Sequence, residues 1–570
     1  MKASRRFQFG LLIALLSAPA LHGIAQATWQ TNGTPLSQAT GHQGAAVMAS
    51  DGAGGAITAW NDGRNESQDI YVQRIDGAGG VLWTADGVAL CTADDVQVVG
   101  NVVPDGSGGA IVVWQDRRNE SDLNIYVQRL SASGSPQWTA DGVPVCSDPA
   151  GQQRPRCVSD GAGGAVITWI DLRNGDPDVY AQRVDASGTP QWTTDGVCVA
   201  TWAWPNNQID PELVSDGAGG AIIVWQDGRY YDYDIYAQRV DASGAAQWTA
   251  NGVAICQASG HQDLPQIIPD GAGGAIMTWH DGRPGATAPD IYAGRIDGSG
   301  IPQWTTDGVA LCLAAGDQRD MRIVGTASGA IIAWTDGRLG MGEEDVYAQC
   351  LNSSGTVQWS STGAPFCTAS GYQVLRAITG DGAGAIAIWA DERGGIGTED
   401  LYAQRLDGLG ASQWEEDGVR VCGADDQQYV CCMVGDGAGG MIAAWEDRRS
   451  GLSEEDLYAL RVYASGETPT TDVGDPADGL RLHLHNAPNP FVHGTTIEFE
   501  LRQPRALALH IVDASGRRLR DLAIGTLMPG PQSIHWDGRD DEGRSLESGI
   551  YYVQLRTDGA RQRQRLVRIR

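Results

Sequence analysis

The chain has 570 residues, 77 of them glycine, with a formal charge of −30 and Lys2 as its single lysine. Such a length admits more than one domain. So acidic a body excludes nucleic acid or an anionic membrane as partner, since both demand a surplus of cations.

Met1 to Ala27 reads as a secretory signal. Lys2, Arg5 and Arg6 form its charged start, Phe9 to Leu21 its apolar core, and Ala25-Gln26-Ala27 a small-x-small cleavage site. The apolar run is too short to span a bilayer. Cleavage after Ala27 leaves a mature chain with no transmembrane segment, exported from a bacterium as a secreted or cell-surface protein.

Residues 28–466 repeat one unit eight times. In the copy at Ser215 to Gly244, Asp216 to Gly220 is a glycine-rich turn and Ala221 to Trp225 a buried strand. Gln226 to Asp234 is a polar loop, Ile235 to Val240 a second strand, and Asp241 to Gly244 another turn. Eight tryptophans (Trp60, Trp114, Trp169, Trp225, Trp279, Trp334, Trp389 and Trp445) each open a Trp-x-Asp-x-Arg motif. A second series runs in step, from Trp29 and Trp83 to Trp414. A period of this length with several short strands marks a propeller or solenoid. The ends decide between them. The chain enters in the last strand of a unit and leaves after the strand before it, so the two parts complete one blade of a closed ring. The expected fold is all-β: an eight-bladed β-propeller of about four strands per blade. The Ser-Asp-Gly, Asp-x-Arg and Asp-Ile-Tyr elements resemble the TolB-like family of propeller repeats, which implies the same closed ring.

Within the unit, the pairs Asp62 and Arg64, Asp227 and Arg229, and Asp447 and Arg449 read as a structural network repeated round the ring, joined in each blade by residues such as Asp69 and Arg74. Catalytic groups are needed once, not eight times. Asn124 replaces one aspartate and Cys350 one arginine. The Asp-Gly-Ala-Gly-Gly turns offer one carboxylate each. Calcium, which needs several oxygen ligands, is the one cofactor the acidic body admits; no metal site is read from the sequence.

Export permits disulfides. Seven of the 11 cysteines (Cys91, Cys146, Cys198, Cys256, Cys312, Cys367 and Cys422) read as one repeat position, filled by a small buried residue. Cys146 with Cys157, and Cys422 with Cys431 or Cys432, are the local candidates for pairing.

The copies differ most in two loops of one face. Ala200 to Pro211 is the longest departure, and it precedes Tyr230-Tyr231-Asp232-Tyr233 in the same repeat. Trp202, Trp204, Tyr230, Tyr231, Asp232 and Tyr233 form a candidate aromatic platform for a glycan or protein ligand. Mutual packing of these rings is the plainer alternative. No Ser/His/Asp arrangement and no unique pair of carboxylates stands out, so the expectation is a binding or adhesion protein and not an enzyme. A sialidase-like glycoside hydrolase and a structural surface-layer component are the alternatives.

Residues 467–479 are acidic, contain proline, show no periodicity and read as a linker. Residues 480–570 alternate strands with Gly/Asp/Pro turns, the pattern of a small Ig-like β-sandwich. Asn489-Pro490-Phe491, Asp513-Ala514-Ser515-Gly516-Arg517 and Ser548-Gly549-Ile550-Tyr551 resemble the C-terminal sorting domain of type IX secretion. Trp536-Asp537-Gly538-Arg539-Asp540 with Glu542-Gly543 resembles the FlgD-type Ig-like domain. The first resemblance implies secretion machinery as a partner and passage through the outer membrane, with the domain then cleaved or used for attachment at the cell surface.

Overall fold

A computed structural model describes residues 29–569 except 66, 119–122, 203–206, 284–288, 341, 395–398, 425–426, 450–454, 470–484, 488–490, 502–504, 514–516, 529 and 558–559. The chain divides into two units, Met1–Thr470 and Thr471–Arg570.

The first unit is an eight-bladed β-propeller in which every blade is a four-stranded antiparallel sheet. Blade 1 runs outward through Gln43–Ser50, Ala56–Asp62, Asp69–Ile75 and Val88–Cys91. Blade 8 takes three strands from the end of the repeats (Gln428–Gly435, Met441–Asp447 and Asp456–Val462) and its outermost strand, Thr34–Ser37, from their beginning. Thr34 pairs with Ala459 and Ser37 with Leu457, which closes the ring.

Two apolar layers follow from the repeat. The second strand of each blade is buried on both faces, and Trp60 and its seven counterparts are fully buried. The second tryptophan series has a different task. Trp83 donates through Nε1 to the carbonyl of Ala132 in the following blade at 3.1 Å, and Trp138, Trp192 and Trp248 do the same to Ala186, Ala242 and Gly298. All eight members of the series make this bond, Trp29 donating to Gly77 and Trp414 to Ala464. The glycine of each Asp-Ala-Ser-Gly turn accommodates the incoming indole: a Cβ on Gly188 would stand 2.7 Å from Trp138.

The second unit is a pair of sheets. One orders His485–Ala487, Thr495–Leu501 and Gly530–Trp536; the other orders Arg518–Leu527, Arg505–Asp513, Gly549–Thr557 and Ala560–Arg568. Its core sets Trp536 edge-on between Phe491 at 5.3 Å and Tyr551 at 5.7 Å. The Trp-Asp-Gly-Arg-Asp segment is a turn: Asp540 accepts from the backbone N–H of Glu542 and Arg544, and Arg568 of the last strand donates to the carbonyls of Gly538 and Leu546. The side chains of Arg561, Arg563 and Arg565 lie outside the described residues.

Candidate functional site

The repeated Asp-x-Arg motif is wired within its own blade. Asp62 accepts from the Trp60 indole at 2.8 Å and pairs with both Nε and Nη2 of Arg64. The guanidinium lies over Tyr71 at 3.8 Å and donates to the carbonyl of Asp86 in the turn before the outermost strand. Asp227 with Arg229 and Asp447 with Arg449 repeat the pairing at 2.6 and 2.5 Å. Such bidentate pairs between buried carboxylate and stacked guanidinium tie the strands of one blade together.

The expected single network of Asp62, Arg64, Asp69 and Arg74 is corrected. Arg74 pairs instead with Asp51 of the glycine turn at 2.9 Å, at the opposite end of the blade from Arg64. Asp51 spends its other oxygen on the N–H groups of Ala53 and Gly55, so each glycine turn holds its carboxylate for itself. In blade 6 both partners are exchanged at once, Thr326 for the turn aspartate and Cys350 for the arginine, and neither charge is left alone. Among the described residues no cluster of three or more His, Cys, Asp or Glu is placed to hold a metal ion.

The cysteine reading also changes. Cys146 and Cys157 are both free thiols, because Cys146 ends the outermost strand of blade 2 while Cys157 belongs to the innermost strand of blade 3. Cys422 is free as well; the side chain of Cys431 lies outside the described residues. Cys198 does not share the position of the other six. It pairs with Tyr180 where blade 1 has Ala89, so Ala200 holds the buried place and Cys198 is exposed.

The loop face is where the blades diverge. In blade 4 the middle strands lengthen to Ala221–Tyr230 and Asp232–Val240, and the hairpin turns at Tyr231 with φ of 77°. Tyr230 is 58% exposed, Tyr231 94% and Trp202 38%. The expected platform divides into two stacks. Trp202 covers one side of Arg229 at 4.8 Å while Tyr236 covers the other at 3.8 Å. Tyr233 turns to His261, 5.8 Å between ring centres, and Asp232 lies near the same histidine. Trp204 lies outside the described residues.

Sequence reasoning missed the channel. The innermost strands of neighbouring blades pack against one another round the whole ring and line its centre. Each carries a β-bulge near the loop face; in five blades the bulge residue is left-handed, at Ala45, Arg154, Asp210, Leu264 and Asp320. Immediately after the bulge, equivalent positions hold Val47, Asn101, Arg156, Glu212, Gln266 and Arg322. Arg154 pairs with Asp210, and Arg156 with Glu212 at 2.8 Å. The signal was present: counting four residues on from the glutamine that opens every inner strand finds a position that changes between apolar, polar, acidic and basic.

Residues 470–560 match the family model described as FlgD Ig-like domain. No curated protein matches the chain. Among solved structures the chain is similar to an endo-arabinase from Bacteroides thetaiotaomicron (14% identity, TM-score 0.27, covering 49% of this chain and 99% of that one). It is also similar to a polysaccharide lyase described as an ulvan lyase (11% identity, TM-score 0.39, 77% and 96%). An α-L-arabinanase from Penicillium chrysogenum is a third (13% identity, TM-score 0.33, 54% and 93%). These likenesses concern the fold. The protein is thus an all-β chain with a propeller and a C-terminal Ig-like domain. The expectation that it is not an enzyme is corrected: polysaccharide-cleaving enzymes stand among the structures it resembles.

Proposed function

We propose that this chain is an exported propeller that engages an extracellular glycan on its loop face, with the Ig-like domain as the module that secretion machinery recognises. The observation that carries this reading is the blade 4 hairpin. Two tyrosines stand in solvent at the tip of a lengthened, hydrogen-bonded ribbon, beside a tryptophan already stacked on Arg229. Rigid aromatic faces held out of the core stack on sugar rings at little entropic cost. The sorting role rests on the Asn-Pro-Phe, Asp-x-x-Gly-Arg and Ser-Gly-Ile-Tyr motifs.

Cleavage of the glycan is the second reading. It is favoured by charged residues held in left-handed backbone at the channel mouth, Arg154, Asp210 and Asp320, because such strain gathers at functional sites. Glycoside hydrolysis asks for a pair of carboxyl groups, and Asp210 and Asp320 are the pair to test.

A panel of polysaccharides tested against the full chain, for binding and for product, decides between these. Tyr230→Ala with Tyr231→Ala is expected to weaken binding about tenfold while leaving the melting temperature unchanged. Product that vanishes in Asp210→Asn or Asp320→Asn establishes cleavage. No interaction with any member of the panel overturns the glycan reading.

A further inference from the structure

The channel of this acidic protein gathers three arginines on its inner strands. Arg156, Arg322 and Arg376 come from the inner strands of blades 3, 6 and 7, with Glu212 of blade 4 and Asp320 of blade 6 as the carboxylates that act on Arg322. Arg156 satisfies Glu212 at 2.8 Å. The other two arginines find no carboxylate within ion-pair distance among the described residues. Arg322 is half-buried, and its hydrogen bond goes to the carbonyl of its neighbour Met321. Arg376 is the extra residue of its bulge, between Leu375 and Ala377, and its buried Nε has no hydrogen-bond partner.

Two guanidinium groups close enough to repel one another, with Asp320 and Glu212 acting on Arg322 and Glu399 on Arg376 only from beyond ion-pair distance, are an expensive arrangement for a fold to keep. Burial holds the Arg322 guanidinium below its ordinary value against the opposing charges of Asp320 and Glu212, and Arg376 pushes it the same way as burial. Elsewhere the motif arginines are satisfied by carboxylates of their own blade. The geometry points to an anion as the missing partner: we propose that the channel binds a carboxylate or sulfate group carried by the glycan. This rests on the glycan reading above; a free anion of the same chemistry is the other source.

The test uses the full chain, the double variant Arg322→Gln with Arg376→Gln, and three probes: oligogalacturonate, a neutral gluco-oligosaccharide and inorganic sulfate. Expected are preference for oligogalacturonate over the neutral sugar, and loss of about tenfold in that affinity in the double variant. Sulfate is expected to raise the melting temperature of the parent and not of the variant. Without any anion the variant should melt no lower than the parent, because it has lost two charges that hold no ion pair. Glu212→Gln is a second variant, expected to tighten anion binding. Charged and neutral sugars bound alike, with neither changed in the double variant, would overturn the anion site and leave the glycan reading standing. Sulfate protection confined to the parent, with no sugar bound, would overturn the glycan reading and keep the channel as a site for a free anion. Weaker anion binding in Glu212→Gln overturns the proposal even where the double variant fails to fold.

Discussion

Arg449 donates through Nη2 to the carbonyl of Asn32 at 2.7 Å, across 417 residues of sequence. In blade 1 the same bond joins Arg64 to Asp86 across 22 residues, and in blade 7 it joins Arg393 to Asp417 across 24. The ring is therefore sealed by the bond that knits every other blade. Gln38 adds a bond to Tyr458 at 2.8 Å, and the N–H of Ala45 one to Glu446 at 2.8 Å.

Arg449→Gln should open the ring where Arg173→Gln does not. Both leave a buried aspartate without its guanidinium, a loss of about 3–5 kcal/mol. In blade 3 the strands stay covalently consecutive and re-form. In blade 8 the outermost strand is free to leave. Limited proteolysis should cut between Ser37 and Gln43 in Arg449→Gln and spare that segment in Arg173→Gln; equal resistance would mean that strand pairing alone seals the ring.

The architecture was readable because the repeat is written in residues whose physics is local. Trp-x-Asp-x-Arg places indole, carboxylate and guanidinium two residues apart on one strand end, and their contacts in the structure are mostly within that span. The offset of the chain ends foretold the shared blade. What stayed illegible depended on neighbours far away in sequence. Trp202 and Tyr233 lie in adjacent loops of one repeat, yet each stacks on a different partner. The Cys198 misassignment has a simpler cause: the run Gly-Val-Cys-Val-Ala carries its cysteine two residues early, and in a strand the period of two keeps the face while changing the neighbour. The channel arginines escaped notice because ring geometry, not sequence, gathers blades 3, 6 and 7.

Paired aspartates give a pH prediction. Asp345 lies opposite Asp336 on adjacent strands, and burial, with that neighbouring charge, pushes its carboxyl up to about 6. Asp234, opposite Asp227, is pushed to the same value by burial in the main. A carboxyl raised on folding stabilises while protonated, so its contribution is full below pH 4 and is lost as pH rises through 6. Asp345→Asn mimics the protonated form. It should leave stability unchanged at pH 4 and raise it by about 1–2 kcal/mol at pH 7.5, as followed by urea denaturation at both values. Blade 2 already carries Asn124 at this place. A variant less stable at pH 7.5 would show that the charge is needed.

Two glycines of neighbouring blades separate backbone strain from crowding. Gly217 and Gly188 are both left-handed, at φ of 74° and 84°, but nothing lies within 4 Å of a Cβ on Gly217, while Gly188 faces Trp138 at 2.7 Å. Gly217→Ala should cost about 1 kcal/mol from conformation alone. Gly188→Ala should cost a further 1–3 kcal/mol, about the range for overpacking, because the indole is pinned by its bond to Ala186. Thermal melts of the two variants test this, and equal losses would mean that the indole moves freely.

The thiols should report the blade structure directly. Cys91, Cys146, Cys256 and Cys367 are buried beside the motif arginines, yet burial outweighs that charge and pushes each thiol up to about 12. Cys198 is exposed, yet burial of its sulfur, with the neighbouring Asp178 charge, still pushes it up to about 11. The thiolate is the reactive form, so access, not acidity, must set the order of labelling. Ellman's reagent at pH 8 should modify Cys198 first and slowly in the folded chain, and the buried positions only as denaturant opens the ring. Peptide mapping after alkylation should find Cys146 and Cys157 both blocked as free thiols. A Cys146–Cys157 crosslink recovered in that map would require blade 2's outermost strand and blade 3's innermost strand to meet, which the closed ring of four-stranded sheets does not allow.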